Sequence, residues 1–132
     1  MAEKRGDGGS GMTILKVVEV FIKADMADEF LEVASKFIQR VVARDQNTLS
    51  YEWFLDESHE TCSIPEWYRD DEAMLTHLDS IRDLYDQLLA VCEITRLQVF
   101  GNGSEEVRAA HLPQTEFYDY WSGITRVIVG TS

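Results

Sequence analysis

The chain has 132 residues, a hydrophobic fraction of 45% and 24 acidic against 12 basic side chains, which give a formal net charge of −12 at pH 7. The length suits one domain built around one core. The excess of negative charge disfavours nucleic acid and anionic membrane surfaces as partners, because both repel an acidic protein.

The first eleven residues, 1–11, contain no apolar run, so we predict a flexible leader there and no signal peptide. No apolar run in the chain approaches the ~20 residues needed to span a bilayer, which favours a cytoplasmic protein without a membrane segment. The two cysteines, Cys62 and Cys92, lack metal-ligand spacing and lie in apolar, strand-like runs. We expect them to be reduced, buried thiols.

Residues 13–23 are rich in β-branched side chains, which is typical of a strand, and both of its faces are mostly apolar. A helix is predicted to follow from Asp25, its N-cap, to about Arg44. Its apolar stripe repeats at three- to four-residue spacing and comprises Phe30, Ala34, Phe37 and Val41.

Two strands are predicted next, over residues 49–55 and 61–68, joined as a hairpin through the polar segment 56–60. Pro65 lies inside the second strand of this hairpin. Because proline has no N–H to donate to a neighbouring strand, we expect an edge or a bulge at that position.

A second helix is predicted to begin near Asp70, with acidic residues in its first turn and a candidate break at Ser80. Residues 92–100 predict a fourth strand. Residues 103–132 form a C-terminal extension that contains an aromatic cluster. We expect this extension to pack on the domain or on a partner subunit.

The order strand, helix, strand, strand, helix, strand predicts an α+β protein with the ferredoxin-like βαββαβ plan over residues 12–102. In this plan one antiparallel four-stranded sheet carries both helices on the same face. The other face would expose apolar side chains to water, at a free-energy cost of about 25 cal/mol per Å² of apolar surface. A second copy stacked sheet on sheet would cover that face, so we predict a homodimer.

The end of the hairpin and the helix that follows it carry a family motif. The strand ends in Glu66 and Tyr68, and the helix contains Glu72, Ala73, His77 and Leu78. This pattern resembles the antibiotic biosynthesis monooxygenase family of the dimeric α/β-barrel superfamily, over roughly residues 13–101. The resemblance implies a dimeric α/β barrel with a cleft between the sheet and the helices of each subunit.

Proteins of that family include oxygenases of quinols and anthrones that use neither metal nor flavin, and haem-degrading enzymes. The haem-degrading branch carries an Asn, Trp, His set, whereas this chain has no Asn in its first strand and has Tyr68 where the Trp would fall. The resemblance therefore implies a monooxygenase without cofactor or metal, acting on a small hydroxylated aromatic or quinone-like molecule. Two alternatives stay open: a non-catalytic ligand-binding or dimeric interaction module, and an isomerase or decarboxylase of a small carbonyl compound.

Three residues are the predicted catalytic groups. His77 borders the apolar stripe of the second helix and titrates nearest neutral pH, which suits a general base. It could instead be a helix-flank histidine with local hydrogen bonds. Glu66 and Tyr68 alternate onto one strand face and would orient the substrate. For Glu66 the alternative is a salt bridge at the sheet edge with Arg69, Arg96 or Arg126.

Four further residues are predicted to line the substrate pocket: Tyr51, Trp53, Met74 and Ile81. The first two share one face of a strand, and the other two lie one turn before and one turn after the predicted base. Core or interface packing is the alternative for the two aromatic residues. The remaining histidines, His59 and His111, are expected to be solvated.

Overall fold

The computed structural model describes residues 13–126. The predicted leader, residues 1–11, lies outside the described residues. The helices and strands are β1 (Ile14–Ile22), α1 (Ala27–Arg44), β2 (Thr48–Tyr51), β3 (Phe54–Leu55), β4 (Thr61–Tyr68), α2 (Asp71–Ser80), α3 (Tyr85–Val91), β5 (Cys92–Phe100), α4 (Glu105–Ala109) and β6 (Glu116–Tyr118).

The sheet has the strand order β2, β4, β1, β5, β6, with β3 pairing β4 beside β2. The predicted ferredoxin-like α+β fold is confirmed, but the sheet has six strands and not four. One additional strand arises because the predicted strand 49–55 is divided into β2 and β3. The other, β6, comes from the C-terminal extension and runs parallel to β5, so the sheet is mixed and not purely antiparallel.

Pro65 accounts for the division between β2 and β3. Its carbonyl oxygen accepts a hydrogen bond of 3.2 Å from the N–H of Glu52. Proline has no N–H with which to return that bond, so the ladder is interrupted at Glu52 and Trp53. The strand that contains Pro65 is paired on both sides, with β1 and with β2 and β3. Of the two outcomes predicted for Pro65, an edge or a bulge, the edge is wrong, and the irregularity falls on the partner strand.

The core lies between one face of the sheet and the helices. Alternate residues of β1 point into it, and α1 buries the predicted stripe of Phe30, Ala34, Phe37 and Val41 together with Val33. The helix begins at Ala27 with Met26 in the N-cap position, so the N-cap predicted at Asp25 is wrong. Asp25 has a φ of 63°. This left-handed conformation, which Asp adopts more readily than most residues, turns the chain before the helix begins.

A capped N-terminus fixes the start of α2. The N-cap Asp70 accepts a hydrogen bond of 2.9 Å from the N–H of Ala73, which satisfies one of the free donors of the first turn. The helix ends at Ser80, where a 3-10 turn over Arg82–Leu84 leads into α3, and this confirms the predicted break. Over the part of the chain that the structure describes, no helix has both the length and the apolar composition needed to cross a membrane.

Candidate active site

A cluster of polar side chains interrupts the apolar layer between the sheet and the helices. Among residues 13–126, four acidic or basic side chains are buried: Lys16, Asp45, Glu66 and His77. Burying such groups is costly unless they are paired, so a cluster of them marks a candidate functional site.

His77 lies at the centre of this cluster and is only 1% exposed. Its Nδ1 atom is 2.9 Å from Oδ2 of Asp45, which also accepts a 3.0 Å hydrogen bond from the hydroxyl of Ser80. Because a carboxylate only accepts, the hydrogen of this contact lies on Nδ1, so that in the neutral imidazole the lone pair is on Nε2. The structure thus holds the imidazole in the tautomer that a general base requires.

Glu66 and Tyr68 face His77 from the adjacent strand, β4. The hydroxyl of Tyr68 donates a hydrogen bond to Oε1 of Glu66, and the same oxygen is 4.0 Å from Nε2 of His77. Burial, and then the negative charge of Glu66, hold the pKa of Tyr68 well above its usual value, so this phenol stays protonated and remains a donor.

The alternative sequence interpretation of Glu66, an ion pair with an arginine at the sheet edge, is not seen among the described residues. Arg96 pairs with Glu116 at 3.1 Å, and the Nε of Arg69 donates to Asn47 at 3.1 Å. Glu66 instead belongs to the cluster around His77, where its carboxylate faces the imidazole.

Sequence reasoning missed Lys16, although a signal for it was present. This residue lies in phase with Val18, Val20 and Ile22 on β1, so the alternation places a lysine on the apolar, helix-facing side. It stands opposite Glu66 in the β1–β4 ladder. Burial lowers the pKa of Lys16, and the nearby Glu66 acts in the opposite direction.

The four predicted pocket residues occupy two different positions. The ring of Tyr51 lies 5.1 Å from the imidazole of His77, and Met74 is fully buried in the same apolar cluster as Tyr68. Trp53 lies farther away, 5.8 Å from the ring of Tyr51, and it packs against the main core, to which Ile81 also belongs. Tyr51 packs against the same core, and among these four it is the ring of Tyr51 that the structure places beside the imidazole.

A cleft of about 310 Å³ opens beside the cluster, between the end of α1 and the start of α2. Asp45 belongs both to this cleft and to the cluster, and its Oδ1 atom is buried without a hydrogen-bond partner among the described residues. Asp45 thus connects the imidazole of His77 with an opening to solvent. None of the four predicted pocket residues lines this cleft, whose lining is polar: Arg44, Asp45, Gln46, Asn47, Thr48, Asp70, Glu72, Ala73 and Thr76.

His59 is exposed, but the expectation of a solvated His111 is wrong. The extension folds back over the sheet, so that the ring of His111 packs at 5.9 Å on Phe117 of β6 and its Nδ1 lies 2.7 Å from the carbonyl oxygen of Val107. Burial, helped by the charge of Lys16, lowers the pKa of His111 to about 4, while the bond to Val107 acts against this shift.

The pKa of His111 predicts a pH dependence of stability. The pKa is about 4 in the folded protein and 6.5 in the reference state, so the unfolded chain binds more protons between these values. The free energy of unfolding should therefore rise with pH across this interval. Because the ring is partly exposed, we expect this histidine to contribute about 1–3 kcal/mol.

Urea denaturation between pH 4 and pH 7 gives the free energy of unfolding of the wild type and of His111→Asn. The change with pH in the difference between these two free energies measures the contribution of His111. His59→Asn is the matched control, because His59 is exposed and Asn tolerates its φ of 60°. The difference in the free energy of unfolding between the wild type and this control should be the same at every pH. A difference between wild type and His111→Asn that is constant with pH would contradict the assignment.

The two cysteines are free and buried, as predicted. Burial raises the pKa of both Cys62 and Cys92 to about 11, so neither supplies a thiolate nucleophile near neutral pH. Among the described residues there is no group of three or more His, Cys, Asp or Glu side chains that could hold a metal ion. The side chains of His77, Glu66 and Tyr68 can transfer protons and form hydrogen bonds with a bound molecule.

The fold and the cluster define a ferredoxin-like α+β protein with a candidate acid–base site between its sheet and its helices. The chain belongs to the antibiotic biosynthesis monooxygenase family, whose model matches residues 13–111. A comparison with curated proteins finds no match.

Solved structures share the fold. MupZ from Pseudomonas fluorescens is similar with a TM-score of 0.76 and 18% identity, over 89% of this chain and 98% of that one. SnoaB from Streptomyces nogalater, a cofactor-independent oxygenase, has a TM-score of 0.59 and 10% identity, over 70% of this chain and 94% of that one. A conserved protein from Methanosarcina mazei has a TM-score of 0.61 and 15% identity, over 70% of this chain and 95% of that one. Identities this low support the fold alone.

Proposed function

We propose that this protein is a cofactor-independent monooxygenase that acts on a small hydroxylated aromatic compound of the quinol or anthrone type. One observation carries the proposal: the buried His77 is held through Nδ1 by Asp45 and directs Nε2 toward Glu66. Membership of the antibiotic biosynthesis monooxygenase family and the shared fold of SnoaB, a cofactor-independent oxygenase, support it.

The substrate can supply all the electrons for such a reaction. Loss of a proton from the hydroxylated ring gives an electron-rich anion that reduces dioxygen directly. For an anthrone, the ring CH₂ group becomes a carbonyl, one oxygen atom enters the product, and the other leaves as water. The protein then has to provide a base, donors that stabilise the anion, and a site that excludes water.

The cluster offers a base, a hydrogen-bond donor and an aromatic surface. Nε2 of His77 would accept the substrate proton, and the positive charge would form within 2.9 Å of the Asp45 carboxylate. Tyr68 would stay neutral, because burial raises its pKa, and it would turn its single hydrogen from Glu66 to the substrate in order to stabilise the anion. Tyr51 would provide an aromatic surface beside the base, since its ring lies 5.1 Å from the imidazole.

Oxygen uptake by the wild-type protein with a panel of quinols and anthrones tests this function. We expect uptake with at least one compound, above the autoxidation measured with heat-denatured protein. Use of ¹⁸O₂ should place one labelled atom in the product and the other in water. Absence of uptake with every compound would contradict the oxygenase proposal.

An isomerase of a small carbonyl compound is the second candidate function. The observation that favours it is the number of ionisable groups, since Lys16, Glu66, Tyr68 and His77 exceed the single base that an oxygenase needs. A base and an acid on one cluster can move a proton next to a carbonyl group without oxygen. Deuterium exchange into a carbonyl substrate under nitrogen, without oxygen uptake in air, would favour this candidate.

We infer that the protein works as a homodimer. The sheet face opposite the helices carries Leu15, Phe21 and Phe54, which are 44%, 43% and 56% exposed. The first two lie on β1 and the third on β3, two strands that both pair with β4, and a second copy stacked on this face would remove them from water. Sedimentation at micromolar concentration should show a dimer.

Replacing both Leu15 and Phe21 with glutamate should shift the protein to a monomer, because the dimer would bury four carboxylates without partners. Val42→Glu is the matched control, since Val42 is 76% exposed on α1, away from the sheet. The control should remain dimeric. A monomeric wild type would overturn the inference.

A further inference from the structure

Lys16 has no described partner for its amine, and the mechanism above does not use it. The side chain is 5% exposed, yet it forms no hydrogen bond or ion pair within the described part of the chain. A buried amine with three free donors is costly, so its place next to Glu66 suggests a ligand group that is absent from the protein alone.

A second buried polar atom without a described partner belongs to His111. Nδ1 of His111 is 2.7 Å from the carbonyl oxygen of Val107, which can only accept, so the hydrogen is on Nδ1. Nε2 is then an acceptor, and it is buried without a partner among the described residues. Burial is the main cause of the low pKa of His111, and the positive charge of Lys16 is a smaller one.

The sheet register places both groups on one row. Lys16 pairs with Glu66 on β4 and with Val99 on β5, and Val99 pairs with Phe117 on β6, on which the ring of His111 packs. Neighbouring strands are about 4.8 Å apart. Lys16 and His111 therefore lie on the side of Glu66 away from β2, where Tyr51 packs against His77.

We propose that Lys16 and His111 form a second binding site, which holds a hydroxyl group of the ligand: the Lys16 amine donates to its oxygen, and His111 Nε2 accepts its hydrogen. A carboxylate fits less well, because it would face the lone pair of Nε2. This proposal rests on the proposed function in one respect, which is that the ligand is taken to be aromatic. It narrows the substrate to a fused-ring compound with two oxygen-bearing positions, one at His77 and one roughly 5–10 Å away.

Binding to small naphthols under nitrogen tests this second site without turnover. The probes are 1-naphthol and two compounds with a second hydroxyl, 1,5- and 2,6-dihydroxynaphthalene, with affinities measured by titration calorimetry. The wild type should bind at least one of the diols about 10- to 100-fold more tightly than 1-naphthol, as expected for a buried hydrogen bond to a charged group.

Lys16→Met should bring this ratio close to one and leave the affinity for 1-naphthol nearly unchanged. Lys36→Met is the matched control and should keep the wild-type ratio, because Lys36 is exposed on α1 and donates to Gln87. If Lys16→Met does not fold, the affinity ratio is measured in His111→Phe. This substitution keeps an aromatic ring on Phe117 and removes the acceptor atom Nε2.

Three results would overturn the second site: no preference for a diol in the wild type, a preference that survives in Lys16→Met or His111→Phe, or no binding of any naphthol. These results are distinguishable from a failure of the oxygenase proposal. An absence of oxygen uptake in air would leave the diol preference intact, and an unchanged ratio under nitrogen would leave the assignment of His77 as base intact.

Discussion

Replacing His77 with glutamine should lower kcat for oxygen uptake by about 10²- to 10⁴-fold, which is the range for loss of a positioned general base. Glutamine can fill most of the space of the imidazole, so the fold should persist, but its side chain cannot take a proton. KM should change by less than about threefold if the base acts chiefly in the transition state. Oxygen-electrode kinetics with a compound that the wild type oxidises measure both constants.

His59→Gln is the matched control and should retain wild-type kinetics, because His59 is exposed in the turn before β4. Asp45→Asn should also lower kcat strongly. An amide at position 45 can donate to Nδ1 and so favour the tautomer with its hydrogen on Nε2, which cannot accept a proton. Uptake that is unchanged in His77→Gln would retain an oxygenase but remove His77 as its base.

The sequence predicts the fold well because each segment carries its own period. The β-branched composition of β1 and the three- to four-residue stripe of α1 are local patterns, and the structure confirms the strand and the burial of the stripe. The division of β2 from β3 was not foreseen, although Pro65 signalled an irregularity. Which strand bears it depends on the pairing across the sheet, which no local period contains.

The site is less accessible from the sequence because it is assembled from distant segments. His77, Glu66 and Tyr68 lie close together along the chain, and the structure places them in one cluster. Asp45, however, lies 32 residues before His77 and looks like part of a polar turn. Only the packing of the end of α1 against α2 brings its carboxylate to the imidazole.

Lys16 and His111 were missed for different reasons. The alternation of β1 already places Lys16 on the buried face, so this residue could have been found from the pattern. His111 follows the short helix α4, and its burial depends on β6, a three-residue strand that pairs with β5. A strand this short has too few residues to show a period.

Replacing Phe37 with alanine should lower the free energy of unfolding by about 3–5 kcal/mol, the usual range for a buried aromatic side chain. Phe37 is 2% exposed on α1, and its ring lies 5.9 Å from that of Trp53. The loss is large compared with the total stability of about 5–15 kcal/mol that is typical of such domains. Urea denaturation followed by tryptophan fluorescence measures it.

Val42→Ala on the same helix is the matched control, because Val42 is 76% exposed and its truncation should change the stability by less than about 0.5 kcal/mol. Phe37 also supports the site indirectly. It packs on Trp53, which contacts Tyr51, whose ring lies 5.1 Å from the imidazole of His77. A loss below about 1 kcal/mol for Phe37→Ala would mean that the neighbouring side chains close the space, and that Trp53 does not depend on Phe37 for its position.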